Sequence, residues 1–97
     1  MKVVLHPAVS SDIESILDWL SSEHPAAIEP LLRQIDETIA RVSVWPKLAP
    51  MVVELGSDIR AATLVRYPYR LFYRIRPNVI EILHIRHTSR APWEGRR

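Results

Sequence analysis

Residues 67–90 read YPYRLFYRIRPNVIEILHIRHTSR, and this stretch decides the fold. Leu71, Tyr73 and Ile75 alternate with Arg70, Phe72, Arg74 and Arg76, the period of two that sends successive side chains to opposite faces of a strand. The first set is expected to face a core, and the second to form a wet, cationic face. Pro77-Asn78 is a turn signal. Val79 to Arg86 then runs apolar on both faces until His84, as a strand in a sheet interior does. Five of the chain's eleven arginines and two of its four histidines lie in this hairpin, so fold and chemistry converge on it.

Upstream of the hairpin, Ile59 to Arg66 reads as a strand, Gly56-Ser57-Asp58 as a turn and Met51 to Leu55 as another strand. Further back, Ile28, Leu31, Leu32, Ile35, Ile39 and Val42 recur at helical spacing and stop before Trp45-Pro46. Pro30 lies within this pattern and implies either a kink or a start near Glu29, because proline lacks an N–H and crowds the preceding turn. Val9, Ile13, Ile16, Leu17 and Leu20 mark an earlier helix over about Pro7 to Ser22, with Ser11-x-x-Glu14 in the form of a capping box, and His24-Pro25 breaks it. Lys2 to Leu5 is a first, β-branched strand. His6 and His24 each precede a proline and are expected to cap helices. His87 to Arg97 has no periodicity. The expectation is therefore one α+β domain over residues 1–97, β-α-α-β-β-β with room for one more strand, its two helices on one face of the sheet and residues 88–97 forming a C-terminal arm.

The bulk numbers narrow the functional classes. At 97 residues the chain supports one core. No apolar run approaches the roughly 20 residues that span a bilayer, and Met1 to Leu5 leads straight into His6-Pro7 without the form of a secretory leader, so cytoplasmic residence is expected. The absence of cysteine excludes disulfides, thiol catalysis and thiolate metal sites, and no metal or other cofactor is expected. The net charge of +2 hides an asymmetry. Residues 1–54 carry four Lys/Arg against eight Asp/Glu, whereas residues 55–97 carry nine arginines against three acids, which suggests an anionic partner.

Several stretches together resemble the toxins of the RelE/ParE superfamily of type II toxin-antitoxin modules: Pro7-Ala8 with Asp12-Ile13 and Ile16, Glu54-Leu55-Gly56 before Ile59-Arg60, Leu71-Phe72-Tyr73-Arg74-Ile75, and Ile80-Glu81-Ile82-Leu83 running into His87-Thr88-Ser89-Arg90. They span almost the whole chain. The resemblance implies a helical hairpin packed on an antiparallel sheet and a cognate antitoxin that wraps the surface in a hetero-oligomer. It implies one of two targets: DNA gyrase, inhibited by binding in the ParE-like branch that underlies plasmid stabilisation, or mRNA on the ribosome, cleaved in the RelE-like branch.

The residues weigh between these branches. Cleaving RNA through its 2′-hydroxyl needs proton-transfer groups and cations on the phosphate. The candidates are His84 and His87, with Arg86 and Arg90 as phosphate contacts. Three residues apart on a strand, the two histidines should face opposite sides and not work as a pair. The terminal tyrosine of RelE-type nucleases is absent and lysines are scarce, so the His87-x-x-Arg90 ending is more similar to the ParE-like branch. On that reading no catalytic residue is assigned, and the binding candidates are Arg60, Arg66, Arg70, Arg74, Arg76, His87, Arg90 and Trp93, with Trp93 covering a sheet edge as the alternative for that residue. An inactive domain that only binds its antitoxin is the third reading.

Overall fold

A computed structural model describes residues 1–56 and 58–88. The chain runs β1 (Lys2–Leu5), α1 (Pro7–Glu23), α2 (Ile28–Val44), β2 (Ile59–Thr63), β3 (Tyr69–Ile75) and β4 (Val79–His87). The four strands form one sheet in the order β1-β4-β3-β2. β2, β3 and β4 pair antiparallel as a meander, while β1 lies parallel to β4, so the sheet is mixed rather than antiparallel throughout.

The local reasons are legible. His6 caps α1, its Nδ1 accepting the Ala8 N–H at 3.1 Å, and Pro7 occupies the first helical position, where its missing N–H costs nothing. Ser11 and Glu14 therefore lie inside the helix and form no capping box, and His24 makes no side-chain cap to the turn that follows it. A 3-10 turn over Pro25–Ala27 leads into α2 at Ile28. Pro30 then falls in the first turn of α2, among the N–H groups that have no intrahelical partner, so no kink is required.

Both helices cover one face of the sheet. Val9 and Leu20 of α1, and Leu31, Ile35 and Val42 of α2, are buried against Ala62, Leu71, Tyr73, Ile80, Ile82 and Ile85. The alternation over 71–75 thus faces the helices as expected, each fully buried aliphatic side chain contributing about 1.5–3 kcal/mol. The opposite face differs from the expectation. Phe72 is buried there in a second cluster with Leu55, Ile59, Ala61 and Leu83, so the face is only partly wet.

The lid on that second cluster is the segment expected to be a strand. Met51 makes a single bridge to Arg60, and Val53–Leu55 turns as a 3-10 helix that carries Leu55 under the sheet. Gly56 ends this turn at φ 132° and ψ 172°, a conformation that essentially only glycine adopts. A methyl group would meet nothing closer than Ile59 Cδ1 at 4.0 Å, so the cost of a side chain there is backbone strain rather than collision. Gly56→Ala is expected to lower stability by about 1–2 kcal/mol, read as a drop in the midpoint of chemical denaturation without change in its slope. β2 also ends earlier than the expected Arg66, because the chain turns back after Thr63 and Leu64 N–H donates to Tyr69 O at 3.0 Å.

A β-bulge separates the two halves of the β3–β4 pair. Tyr73 faces Ile82 but Phe72 faces His84, so Leu83 is an extra residue on β4. From there outward every β4 residue is shifted by one, which puts Ile85 opposite Leu71 on the helix side and Arg86 opposite Arg70 on the other.

Candidate functional site

The arginines that the sequence grouped together are divided by the fold. Arg60 pairs with Tyr73 in the register and shares the helix-side face. Its Nη1 donates to the carbonyls of Lys47 at 3.1 Å and Ala49 at 2.7 Å. The Tyr73 hydroxyl donates to Pro46 O at 2.6 Å, so these two side chains clamp the loop after α2. Arg60 is a structural tether here, not a member of the cationic face. Burial pushes the Tyr73 phenol above its ordinary pKa of 10.0, opposed by the nearby Arg60 charge and an Ala49 backbone hydrogen bond.

Arg74 and Arg76 are not free of acids, contrary to the expectation of an unmatched cluster. Arg74 Nε donates to Glu81 Oε1 at 2.8 Å, and Arg76 Nε lies 3.8 Å from the same oxygen. Arg66 sits in the β2–β3 turn at φ 72°, in the left-handed region that non-glycine residues rarely visit. Arg70 lays its guanidinium 5.0 Å from the centre of the Phe72 ring. Among the described residues no ion pair involves Arg70 or Arg86. Arg90 and Trp93 lie outside the described residues.

The two histidines take different partners. His84 Nδ1 lies 2.9 Å from Asp12 Oδ2, and the same oxygen accepts the Ile85 N–H at 3.0 Å. His87 meets the Tyr69 ring edge-on, with 5.2 Å between centroids. Asp12 was missed as a functional position by sequence reasoning. Its role follows from topology: β1 pairs with β4 only as far as Leu5 and Ile82, so beyond that point the outer edge of β4 is open. α1 runs beside this edge and Asp12 takes the place of the missing strand there. The signal in the sequence was an acid one turn into α1, with nothing to say which of the distant residues it meets.

Between α1 and the open edge of β4 lies a concavity of about 320 Å3, bordered by Asp12, Ile16, Trp19, Tyr69, Ile85 and Arg86. Trp19 is 55% exposed and tilts against His24 at 5.9 Å. The Asp12–His84 contact has the form in which a carboxylate orients an imidazole, and the concavity could accept an apolar or aromatic group beside the Arg86 charge.

Comparison with known proteins places this arrangement. A solved structure of the chromosomal ParDE TA system from P. aeruginosa matches with a TM-score of 0.79 at 19% identity, covering 92% of this chain and 97% of that one, which shows a shared fold. No curated protein matches the sequence. The family model for the ParE toxin of type II toxin-antitoxin system, parDE, matches residues 3–92. With β1, both helices and the whole β2–β4 meander inside that match, the chain belongs to the ParE toxin family of type II toxin-antitoxin systems.

Proposed function

We propose that this toxin acts by binding DNA gyrase and blocking it, without cleaving a substrate, and that a cognate antitoxin neutralises it in a hetero-oligomer. The observation that carries the reading is the ParE family match over residues 3–92. The state of the polar residues supports it. The histidines are held by Asp12 and Tyr69, Arg60 tethers a loop, and Arg74 pairs with Glu81, which leaves a face suited to contact and no assembled acid/base pair. No helix among the described residues is long and apolar enough to cross a membrane, and a gyrase inhibitor would work in the cytoplasm.

In a supercoiling reaction, the purified protein at stoichiometric excess over gyrase is expected to stop supercoiling, and pre-mixing with antitoxin to restore it. Undiminished supercoiling would remove gyrase as the target. A second reading, mRNA cleavage on the ribosome, draws on one observation: Asp12 orients His84 as it would a general base, with Arg86 nearby on the same strand. Message cut on translating ribosomes by the wild type and left intact by His84→Ala would favour it.

A further inference from the structure

The geometry points to an oxyanion site formed by Arg70 and Arg86, which takes a carboxylate from an acidic segment of a partner protein while an apolar side chain of that segment enters the adjoining α1–β4 concavity. The inference rests on the proposed binding function and names the chemistry of the binding face.

Three observations carry it. Arg70 and Arg86 are Cα partners across β3 and β4, so their side chains leave the same face of the sheet side by side. Like charges placed directly opposite repel, and a bound anion between them reverses the sign of that term. This opposition exists because of the Leu83 bulge; an unshifted hairpin would put Ile85 opposite Arg70. Second, neither guanidinium is spent inside the fold. Among the described residues, Glu81 occupies Arg74 and Arg76, while Arg70 rests on the Phe72 ring and is thereby positioned without being neutralised. Third, Arg86 also borders the concavity, whose other walls include Ile16, Trp19 and Tyr69. Charge and an aromatic recess are therefore contiguous.

These features favour a protein carboxylate over a nucleic-acid backbone. A phosphate chain needs a run of cations along its length. Here Glu81 interrupts the basic stripe after Arg70, and Asp12 borders the recess, so a polyanion would meet acids on two sides. Two adjacent guanidiniums flanked by acids fit one discrete carboxylate with an apolar neighbour.

The test is an NMR titration of the isotope-labelled full chain, following the arginine Nε–Hε and Trp19 indole signals. The probes are a short capped peptide of alternating Glu and Leu, the same peptide with Lys in place of Glu, and a single-stranded oligothymidylate. The Glu-Leu peptide is expected to shift Arg70, Arg86 and Trp19 together, with the Lys-Leu peptide leaving them in place. Arg70→Gln with Arg86→Gln should weaken that binding by about tenfold or more, while Arg76→Gln leaves it within about twofold. Tighter binding of the oligothymidylate at the same signals would overturn the assignment to a protein carboxylate. Absence of shifts at Arg70 and Arg86 with every probe would overturn the site itself, and because it is read on the wild type it does not depend on a variant folding. Loss of supercoiling inhibition in the wild type, by contrast, would count against the gyrase reading alone.

Discussion

Tyr73→Ala is expected to cost about 3–5 kcal/mol of folding stability, against the roughly 5–15 kcal/mol that holds a domain of this kind together, so the variant should be largely unfolded at moderate temperature. Tyr73 has no exposed surface, packs in the main core between β2 and β4, and donates to Pro46 O at 2.6 Å. Its ring fills the sheet and its hydroxyl, together with Arg60, fixes the loop between α2 and β2. Tyr73→Phe separates the two roles: the ring stays, one buried carbonyl loses its donor, and the cost should be about 1–3 kcal/mol. The same pair of proteins gives a pH test. Burial raises the Tyr73 pKa in the folded state above 10.0. The neutral phenol is thus favoured by folding, so its contribution is fully present below the unfolded pKa and is lost as pH rises through the folded one. In urea titrations the wild type should lose stability more steeply than Tyr73→Phe once the pH passes the ordinary tyrosine range. Parallel pH profiles for the two proteins would show that the phenol is not the group responsible.

How far such roles could be read in advance depends on how local their causes are. The 71–75 alternation was legible because a strand's period is set by its own backbone, and β3 faces the helices as that period requires. Pairing near the hairpin turn was legible in principle: counting outward from Pro77-Asn78 puts Arg74 opposite Glu81, which is where their 2.8 Å contact lies. Beyond the bulge the count fails. No residue between Phe72 and Arg86 signals an insertion, and the burial of Leu83 with Leu55 and Ile59 supplies a tertiary reason for it. The Met51–Leu55 segment failed for a related reason. Its β-branched residues satisfy a strand's local preference, yet burial of Leu55 beneath Phe72, reached through the unusual backbone of Gly56, outweighs that preference. Arg60 looked like its neighbours in sequence, and only the carbonyls of Lys47 and Ala49, brought back by the loop, give it a structural use.

Asp12→Ala should cost about 2–3 kcal/mol and open the end of β4 nearest the concavity. One carboxylate oxygen accepts both the Ile85 N–H and the His84 imidazole, with only 21% of the Asp12 side chain and 18% of the His84 side chain exposed. Removing it strands a backbone donor at a sheet edge that β1 is too short to reach. Asp12→Asn keeps an acceptor for Ile85 and should recover part of the loss. His84→Ala leaves the Ile85 bond intact and should cost less than Asp12→Ala. The double variant Asp12→Ala with His84→Ala then measures the pair: a cost below the sum of the singles would show that the two side chains are coupled through their contact. Hydrogen exchange localises the effect, since the Ile85 amide should lose protection in Asp12→Ala while Tyr73 and Ile80, covered from both sides, keep theirs. An Ile85 amide that exchanges no faster in Asp12→Ala would mean that the strand edge is closed by something other than Asp12. The consequence reaches function because Arg86 follows directly on Ile85. An edge that frays at Ile85 carries Arg86 away from Arg70, so Asp12→Ala should weaken capture of the acidic peptide even though Asp12 itself, being an acid, could only repel it.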